Sequence, residues 1–321
     1  DIELANQYVK KAEDRRNNKG CGCFGPSHSD NISSSIECYN KAILIYQREK
    51  SYSDAAKCLE EVANLKDYLG EPSDEEFEQA AQYWSLIDKS KSVELLERRV
   101  LKYQNSGKHH KAGDMLEKIA KWKEEEELFI DSGKYYKYAA DSFKLSPGHT
   151  NKERSCLLKY ADLASLYHSE ETWKECIDVY ETIAKEYLKE QMLKYNAKDV
   201  FFKVICLYIL YEDTVVAKSF LRKYSEMDGS LRDSSESDFL NKTIEAFNKY
   251  SSEDFEVAAN AYNQTHTNKE KWEKEVLNRI YKKIKQIEND PDMNQNQNGI
   301  QNVKDTVNDN EGPEEQADDF L

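Results

Sequence analysis

The chain has 321 residues and a formal net charge of −15, from 61 acidic and 46 basic side chains. It contains no apolar run of about 18 residues, which excludes a membrane-spanning helix, and its bulk charge does not attract nucleic acid. Glycine (11) and proline (5) are scarce and helix-forming residues dominate, so the composition predicts an all-α protein.

The chain begins with an amphipathic segment, Asp1 to Arg16, that predicts a helix and lacks the apolar block of a signal peptide. It does not start with Met, so the sequence leaves open whether residues precede Asp1. Asn17 to Asn31 follows as a predicted loop rich in Gly, Ser and Asn. The odd number and scatter of the seven cysteines argue against a disulfide framework and favour a reducing cytosol.

The strongest signal is an internal repeat of one apolar stripe. Steps of three and four residues place such a stripe on one face of a helix, with a small residue where the next helix approaches. A tyrosine lies six residues upstream each time, at the end of a preceding helix. The three full copies are Tyr52, Ala55, Leu59, Val62 and Ala63; His109, Ala112, Leu116, Ile119 and Ala120; and Trp173, Cys176, Tyr180, Ile183 and Ala184, with upstream Tyr46, Tyr103 and Tyr167.

Shorter copies of the stripe extend the repeat along the chain. They are Phe77, Ala80, Trp84 and Ile87; Tyr136, Ala139 and Phe143; Thr214, Ala217 and Leu221; and Phe255, Ala258 and Tyr262. Each unit is a helix-turn-helix that buries its apolar face only by stacking on the next. We therefore predict a tetratricopeptide-like helical-hairpin solenoid over residues 1–288. Repeat spacing widens after Cys176, which predicts a more compact helical bundle at the C-terminal end.

The last segment, 289–321, has no apolar periodicity. It holds nine acidic residues and one lysine, together with the low-complexity run Asn294 to Asn298. This composition predicts a disordered acidic tail.

No nucleotide-binding, metalloprotease or nucleophile-elbow motif occurs, so the sequence predicts a binding protein that is not an enzyme and needs no cofactor. Cys21 and Cys23 have the wrong spacing for a metal site. His109 occupies the aromatic position of the repeat, so core packing is the better interpretation than metal binding. An enzyme built on a helical solenoid is the least favoured alternative.

The segment Met192 to Lys203 resembles the L-K-Y-x-A-K-D-x-F-F-K string of the soluble NSF attachment proteins of alpha/beta type. Cys156 to Ala161, Trp173 to Glu181 and Leu277 to Ile284 resemble further segments of that family. The resemblance implies an adaptor that lies along the four-helix bundle of SNARE proteins (syntaxin-type and others) and recruits the hexameric ATPase NSF to dismantle it. It also implies a cytoplasmic protein, peripheral on membranes. The competing interpretation is a generic tetratricopeptide scaffold or co-chaperone that binds peptide tails.

The family's SNARE-facing surface is basic, so the resemblance implies candidate SNARE contacts. Lys159 and Lys198 match two of the family's positions, Lys108 stands where the family has Arg, and Arg154, adjacent to a replaced position, and Lys194 are further candidates. Two further positions at which the family has basic residues hold Asp114 and Ser155 here.

Two terminal features carry further expectations from the resemblance. The family's first loop inserts apolar residues into membranes. Here that loop has Phe24 with Cys21 and Cys23, and acylation of the two cysteines is one alternative, an unmodified loop the other. The family also ends in acids and a leucine that stimulate the ATPase. The corresponding end is Asp318, Asp319, Phe320 and Leu321, and Met293 is the alternative functional end.

Overall fold

The computed structural model describes residues 1–18, 26–168, 170–211, 213–267 and 269–290. These residues form fifteen α-helices and no β-strand, which confirms the all-α prediction. None of these helices is long and apolar enough to cross a membrane. The helices are α1 (Ile2–Asn17), α2 (His28–Arg48), α3 (Tyr52–Leu69), α4 (Asp74–Ser85), α5 (Lys89–Asn105), α6 (His109–Glu125), α7 (Phe129–Lys144), α8 (Thr150–Tyr167), α9 (Trp173–Lys189), α10 (Ala197–Leu210), α11 (Thr214–Met227), α12 (Gly229–Arg232), α13 (Ser235–Lys249), α14 (Ser252–Thr265) and α15 (Lys271–Glu288).

The chain divides into two compact units, and the boundary between them in the sequence lies between residues 157 and 158, within α8. In the first unit, successive helices from α1 to α7 pack against each other as consecutive hairpins. The predicted stripes form the contacts. Ala55 in α3 and Ala112 in α6 have no exposed surface, and Tyr46 and Tyr103 are buried near the ends of α2 and α5. The repeat therefore has the structural basis that its spacing predicted.

The contact between α6 and α7 depends on a glycine next to the small repeat position. A β-carbon on Gly113 would lie 2.7 Å from the ring of Phe143, a distance that real β-carbons do not reach. Phe143 has no exposed surface, so its ring cannot move aside into solvent. Gly113 thus sets how closely the two helices approach.

Arg99 on α5 is a buried cation, 4% exposed, that clips neighbouring helices of the first unit together. Its guanidinium lies 2.9 Å from the carboxylate of Asp67 on α3, and it also bonds Asp74 at the start of α4. The same group lies over the ring of Phe77. Lys111 on α6 pairs with Asp74 as well, so the clip extends through four helices.

In the second unit, α10 is the central helix. Ten of its fourteen residues are buried, and it packs against α9, α11, α13 and α15. A helix that is apolar on nearly all sides needs neighbours on all sides. This arrangement confirms the predicted C-terminal helical bundle.

Two predicted boundaries were wrong. The loop Asn17 to Asn31 is shorter than expected, because α2 begins at His28. Ser27 caps it by accepting from the Asp30 backbone N–H at 3.1 Å, while the Asp30 carboxylate accepts from the Ser27 N–H at 2.9 Å. Ile87, expected to close the α4 stripe, lies beyond the end of that helix and is 51% exposed.

Five cysteines lie in the described part of the chain, and all five are buried free thiols: Cys38, Cys58, Cys156, Cys176 and Cys206. Burial raises the pKa of Cys58 and of Cys156 to about 12 and raises that of Cys206 well above its ordinary value. Cys176 fills the small-residue slot of its stripe, as the repeat predicted.

Candidate protein-binding surface

Lys108 is held at the turn between α5 and α6. After α5 ends, Gly107 takes a positive φ of 70°, and the Lys108 N–H donates to the Tyr103 carbonyl at 2.8 Å. This hydrogen bond closes the turn, and the side chain of Lys108 is exposed. Lys108 makes no ion pair with any described residue, so its charge is available to a partner.

Arg154 lies in the first turns of α8 and is only 7% exposed, so it presents little surface in this conformation. In the same unit, Lys152 at the start of α8 lies 2.5 Å from Asp114 on α6. Asp114 is the residue that stands, by the resemblance, where a basic side chain was expected. Its carboxylate pairs with the Lys152 ammonium and so neutralises that charge.

The strongest family string, Met192 to Lys203, divides into an exposed and a buried half. Its first half is the turn before α10, in which Lys194 is exposed and Met192 and Tyr195 are 93% and 76% exposed. Lys194 forms no ion pair within the described chain. The turn thus presents one cation between two apolar side chains, a combination that suits a partner surface with both acidic and apolar groups.

The apolar side chains in the second half of the string are buried. Ala197 has no exposed surface, the Phe201 ring stacks on Tyr224 at 4.0 Å between centroids, and Phe202 stacks on Tyr262 at 5.9 Å. This aromatic cluster anchors the start of α10 in the bundle. The exposed turn in front of it is therefore attached to a rigid element.

Lys198 is half-buried and its ammonium lies 2.5 Å from the carboxylate of Glu236 on α13. Burial alone would raise the pKa of Glu236, but the hydrogen bonds from Lys198 and from backbone N–H groups outweigh it and lower the pKa to about 2. His266 Nε2 lies 3.3 Å from the same carboxylate. Lys198 is thus part of a helix-to-helix ion pair as well as a candidate contact.

Lys203 closes the string with a structural role. Its ammonium donates to both Asp162 oxygens on α8, at 2.8 and 3.0 Å, and lies over the ring of Trp272 on α15. Tyr180 on α9 donates to the same carboxylate at 2.6 Å. Asp162 thus binds side chains from α9 and α10, which fixes α8 against both helices. Lys159 lies on the same helix α8, three residues before Asp162, and is exposed.

Several expectations concern residues outside the described part of the chain. The loop residues Cys21, Cys23 and Phe24 belong to this group, as do Asp318, Asp319, Phe320, Leu321 and the alternative end Met293.

Two exposed apolar residues, Met192 and Tyr195, were not singled out from the sequence, because the family string drew attention to its lysines. Both lie in the short connection directly before α10, Tyr195 within its 3₁₀ turn and Met192 two residues ahead of that turn, and this position before a largely apolar helix is the signal that marks them. In this connection, the two apolar side chains lie outside the core of the bundle.

A body of stacked helical hairpins, with charged side chains either clipped between helices or exposed, is the architecture of a helical-repeat binding protein. A family model described as soluble NSF attachment protein, SNAP, matches residues 3–285. The chain therefore belongs to the soluble NSF attachment protein family.

Individual relatives agree with the family match. The chain is 28% identical to the alpha-soluble NSF attachment protein of Homo sapiens over 273 residues, which cover 84% of this chain and 90% of the relative. It is 24% identical to the alpha-soluble NSF attachment protein of Vitis vinifera over 297 residues, covering 91% and 98%. A probable vesicular-fusion protein sec17 homolog of Neurospora crassa is 25% identical over 276 residues, covering 85% and 92%.

Proposed function

We propose that this chain is a non-enzymatic adaptor that binds SNARE complexes and recruits the NSF ATPase to dismantle them in vesicle transport and membrane fusion. The observation that carries the proposal is the family match over residues 3–285, a range that includes all fifteen helices apart from Ile2 of α1 and the last three residues of α15. We further propose that the protein works in the cytoplasm, peripherally on membranes, with residues 1–288 as the solenoid body and 289–321 as a disordered tail.

The test is reconstitution with purified NSF, ATP and a preassembled SNARE bundle. We expect the chain to bind the bundle, to recruit NSF and to release individual SNARE proteins only when ATP is hydrolysed. Binding to chaperone tail peptides, without binding to the bundle, would instead support a tetratricopeptide co-chaperone. No described feature of the chain favours that second function.

We propose that the exposed cations Lys108, Lys159 and Lys194 contact acidic residues of the SNARE bundle. Long-range attraction between such groups raises the association rate and weakens with salt. Measured in the absence of NSF, the double variant Lys159→Glu with Lys194→Glu should bind the SNARE bundle more weakly, and this binding should depend less on the salt concentration. The matched control is Lys274→Glu with Lys282→Glu, which reverses two exposed lysines of α15. Equal losses in both variants would contradict the assignment.

We propose that Arg154 and Lys198 also contact the SNARE bundle. For Lys198, two substitutions can separate this role from its role in the fold. Lys198→Gln and Glu236→Gln both break the internal ion pair, but only the first removes the cation. Both variants should lose stability, and only Lys198→Gln should weaken bundle binding. If both weaken it equally, Lys198 acts through the fold. Arg154→Gln should weaken binding less than Lys194→Gln, because Arg154 is 7% exposed.

We propose that the acidic end Asp318, Asp319, Phe320 and Leu321 stimulates NSF, with Met293 as the alternative end. A flexible tether of about 30 residues spans roughly 30 Å on average, so the end can reach a docked ATPase. Deleting Phe320 and Leu321 should reduce SNARE-dependent ATP hydrolysis and leave bundle binding intact. Full stimulation by the deletion variant would transfer the role to Met293.

We propose that Phe24, with Cys21 and Cys23, makes the transient membrane contact. Burying one phenylalanine contributes only about 1.5–3 kcal/mol, so acylation of the cysteines would supply the remaining affinity. Replacing all three by serine should reduce the stimulation of disassembly by liposomes and leave disassembly in solution unchanged. Unchanged stimulation by liposomes would exclude the membrane role.

A further inference from the structure

A cleft of about 590 Å³ lies in the second unit between α11 and α13, with α12 at one end. Its walls carry three basic side chains: Lys218 and Arg222 from α11 and Arg232 from α12. The other described residues that line it are neutral, mostly hydroxyl and amide side chains, and none is a carboxylate. In a chain with 61 acidic residues, a cleft lined in this way is a local positive site.

Within the described residues, no carboxylate neutralises these three cations. None of them forms an ion pair with a carboxylate of the described residues, whereas Lys242 on α13 is paired with Asp238 one turn away. Lys218 and Arg222 lie four residues apart on α11, a spacing at which like charges repel each other. A negatively charged ligand between them would turn this repulsion into attraction.

The position of Arg232 is held by the backbone. Its Nη2 donates to the carbonyl oxygen of Ser225, 3.3 Å away near the carboxyl end of α11. This single bond leaves the remaining guanidinium donors available to a ligand. The planar donor fork of an arginine suits two oxygens of one phosphate group.

Neutral donors complete the lining. The Ser219 hydroxyl lies on α11 between the two cations in sequence. On α13, the amide oxygen of Asn248 accepts from the Thr214 hydroxyl at 2.7 Å, which leaves the NH₂ group of Asn248 as a donor. Guanidinium, ammonium, hydroxyl and amide donors around one cavity are the groups that recognise phosphate oxygens.

We propose that this cleft binds a ligand with several phosphate groups, of the size of an inositol polyphosphate. The ligand chemistry has two possible sources: a soluble polyphosphate, or the headgroup of a phosphorylated lipid at a membrane surface. The residues that line the cleft include neither Lys194 nor the Lys203–Asp162 ion pair, and the proposal does not depend on SNARE binding.

The test uses the full chain and inositol hexakisphosphate as the probe, titrated by calorimetry at about 0.15 M salt. We expect saturable binding that Arg222→Gln with Arg232→Gln weakens at least about tenfold, because each replacement removes charge-assisted hydrogen bonds. The matched control is Lys223→Gln with Lys282→Gln. Lys223 follows Arg222 on α11 but does not line the cleft. The control should change the affinity less than about twofold if binding is site-specific rather than general attraction to charge.

A second arm separates the two sources. Vesicles with a phosphoinositide and vesicles with the same charge from phosphatidylserine are compared for sedimentation of the protein. Binding to the first alone, lost in the Arg222→Gln and Arg232→Gln variant, assigns the headgroup. Binding of the soluble probe with no vesicle preference assigns a soluble polyphosphate.

Two outcomes overturn the proposal: no saturable binding in either arm, or an equal loss of affinity in the control variant. Because the two replaced cleft side chains, Arg222 and Arg232, are exposed, we expect the thermal unfolding of the variant to be unchanged, which keeps these outcomes interpretable.

Discussion

Replacing Lys203 by methionine should destabilise the second unit more than any substitution at the exposed lysines. The change removes the cation that donates to both oxygens of Asp162 and keeps most of the apolar stem of the side chain. Burial lowers the pKa of Lys203, but Asp162 and Glu270 outweigh that effect and raise it, so the lysine is charged in the folded protein.

The magnitude follows from burial. The side chains of Lys203 and Asp162 are 14% and 18% exposed, and breaking such a pair from one side costs about 3–5 kcal/mol. Tyr180 still donates to Asp162 in the variant, so we expect the lower value, about 3 kcal/mol. Glu270 is 70% exposed and its loss as a partner adds at most about 1 kcal/mol. For a cooperative unit of this size, such a loss lowers the melting temperature by about 6–12 °C.

The assay is urea unfolding followed by circular dichroism, with a double-mutant cycle. Lys203→Met and Asp162→Asn should each be destabilising, and the double variant should lose about 1–3 kcal/mol less than the sum of the two. Well below the transition, Lys203→Met should bind the SNARE bundle as the wild type does, in contrast to Lys194→Glu. A loss below about 1 kcal/mol, or strict additivity, would refute the assignment of Lys203 as a buried clip.

Three further substitutions test other parts of the structure. Gly113→Ala should cost about 1–3 kcal/mol, measured by thermal unfolding, because the new methyl group meets the Phe143 ring; a neutral result would show that α6 and α7 separate easily. Arg99→Met should cost about 2–4 kcal/mol in urea unfolding, because it removes the buried cation that Asp67 and Asp74 share, and an effect below about 0.5 kcal/mol would show that the clip is dispensable. Because the pKa of Glu236 is lowered in the folded protein, this residue contributes stability above pH 4.5 that is lost as the pH falls towards about 2. Over that interval, the unfolding free energy of Glu236→Gln should therefore decline less steeply than that of the wild type. Parallel declines would contradict the ion pair with Lys198.

The fold was predictable because its information is local in the sequence. A stripe such as Ala112, Leu116 and Ile119 shows its helical period within a dozen residues, and all three are buried as expected. The start of α2 was missed because the local composition there is typical of a loop. Gly, Ser and Asn dominate the segment before it, and the cap formed by Ser27 and Asp30 resembles the loop composition around it.

The candidate site was less predictable because its interactions connect distant parts of the chain. Lys194, Lys198 and Lys203 lie within ten residues, yet the first is exposed, the second pairs with Glu236 and the third is buried against Asp162, 41 residues upstream. The helical periodicity and the residue composition around the three lysines do not distinguish these environments. The phosphate cleft likewise has no motif, because its cations come from two helices and are arranged only by folding.

The buried thiols described above make the chain suitable for site-selective chemistry. In the folded protein the five described cysteines are shielded and, where their pKa is raised, remain protonated, so they react slowly with maleimides or acyl donors. Rapid modification before unfolding would therefore not arise from these five, and replacing Cys21 and Cys23 by serine tests whether it arises there. In that serine variant, the rate at which Cys58 becomes labelled reports opening of the first unit, and the rate at Cys206 reports opening of the second, so one mass-spectrometric time course measures the two units separately.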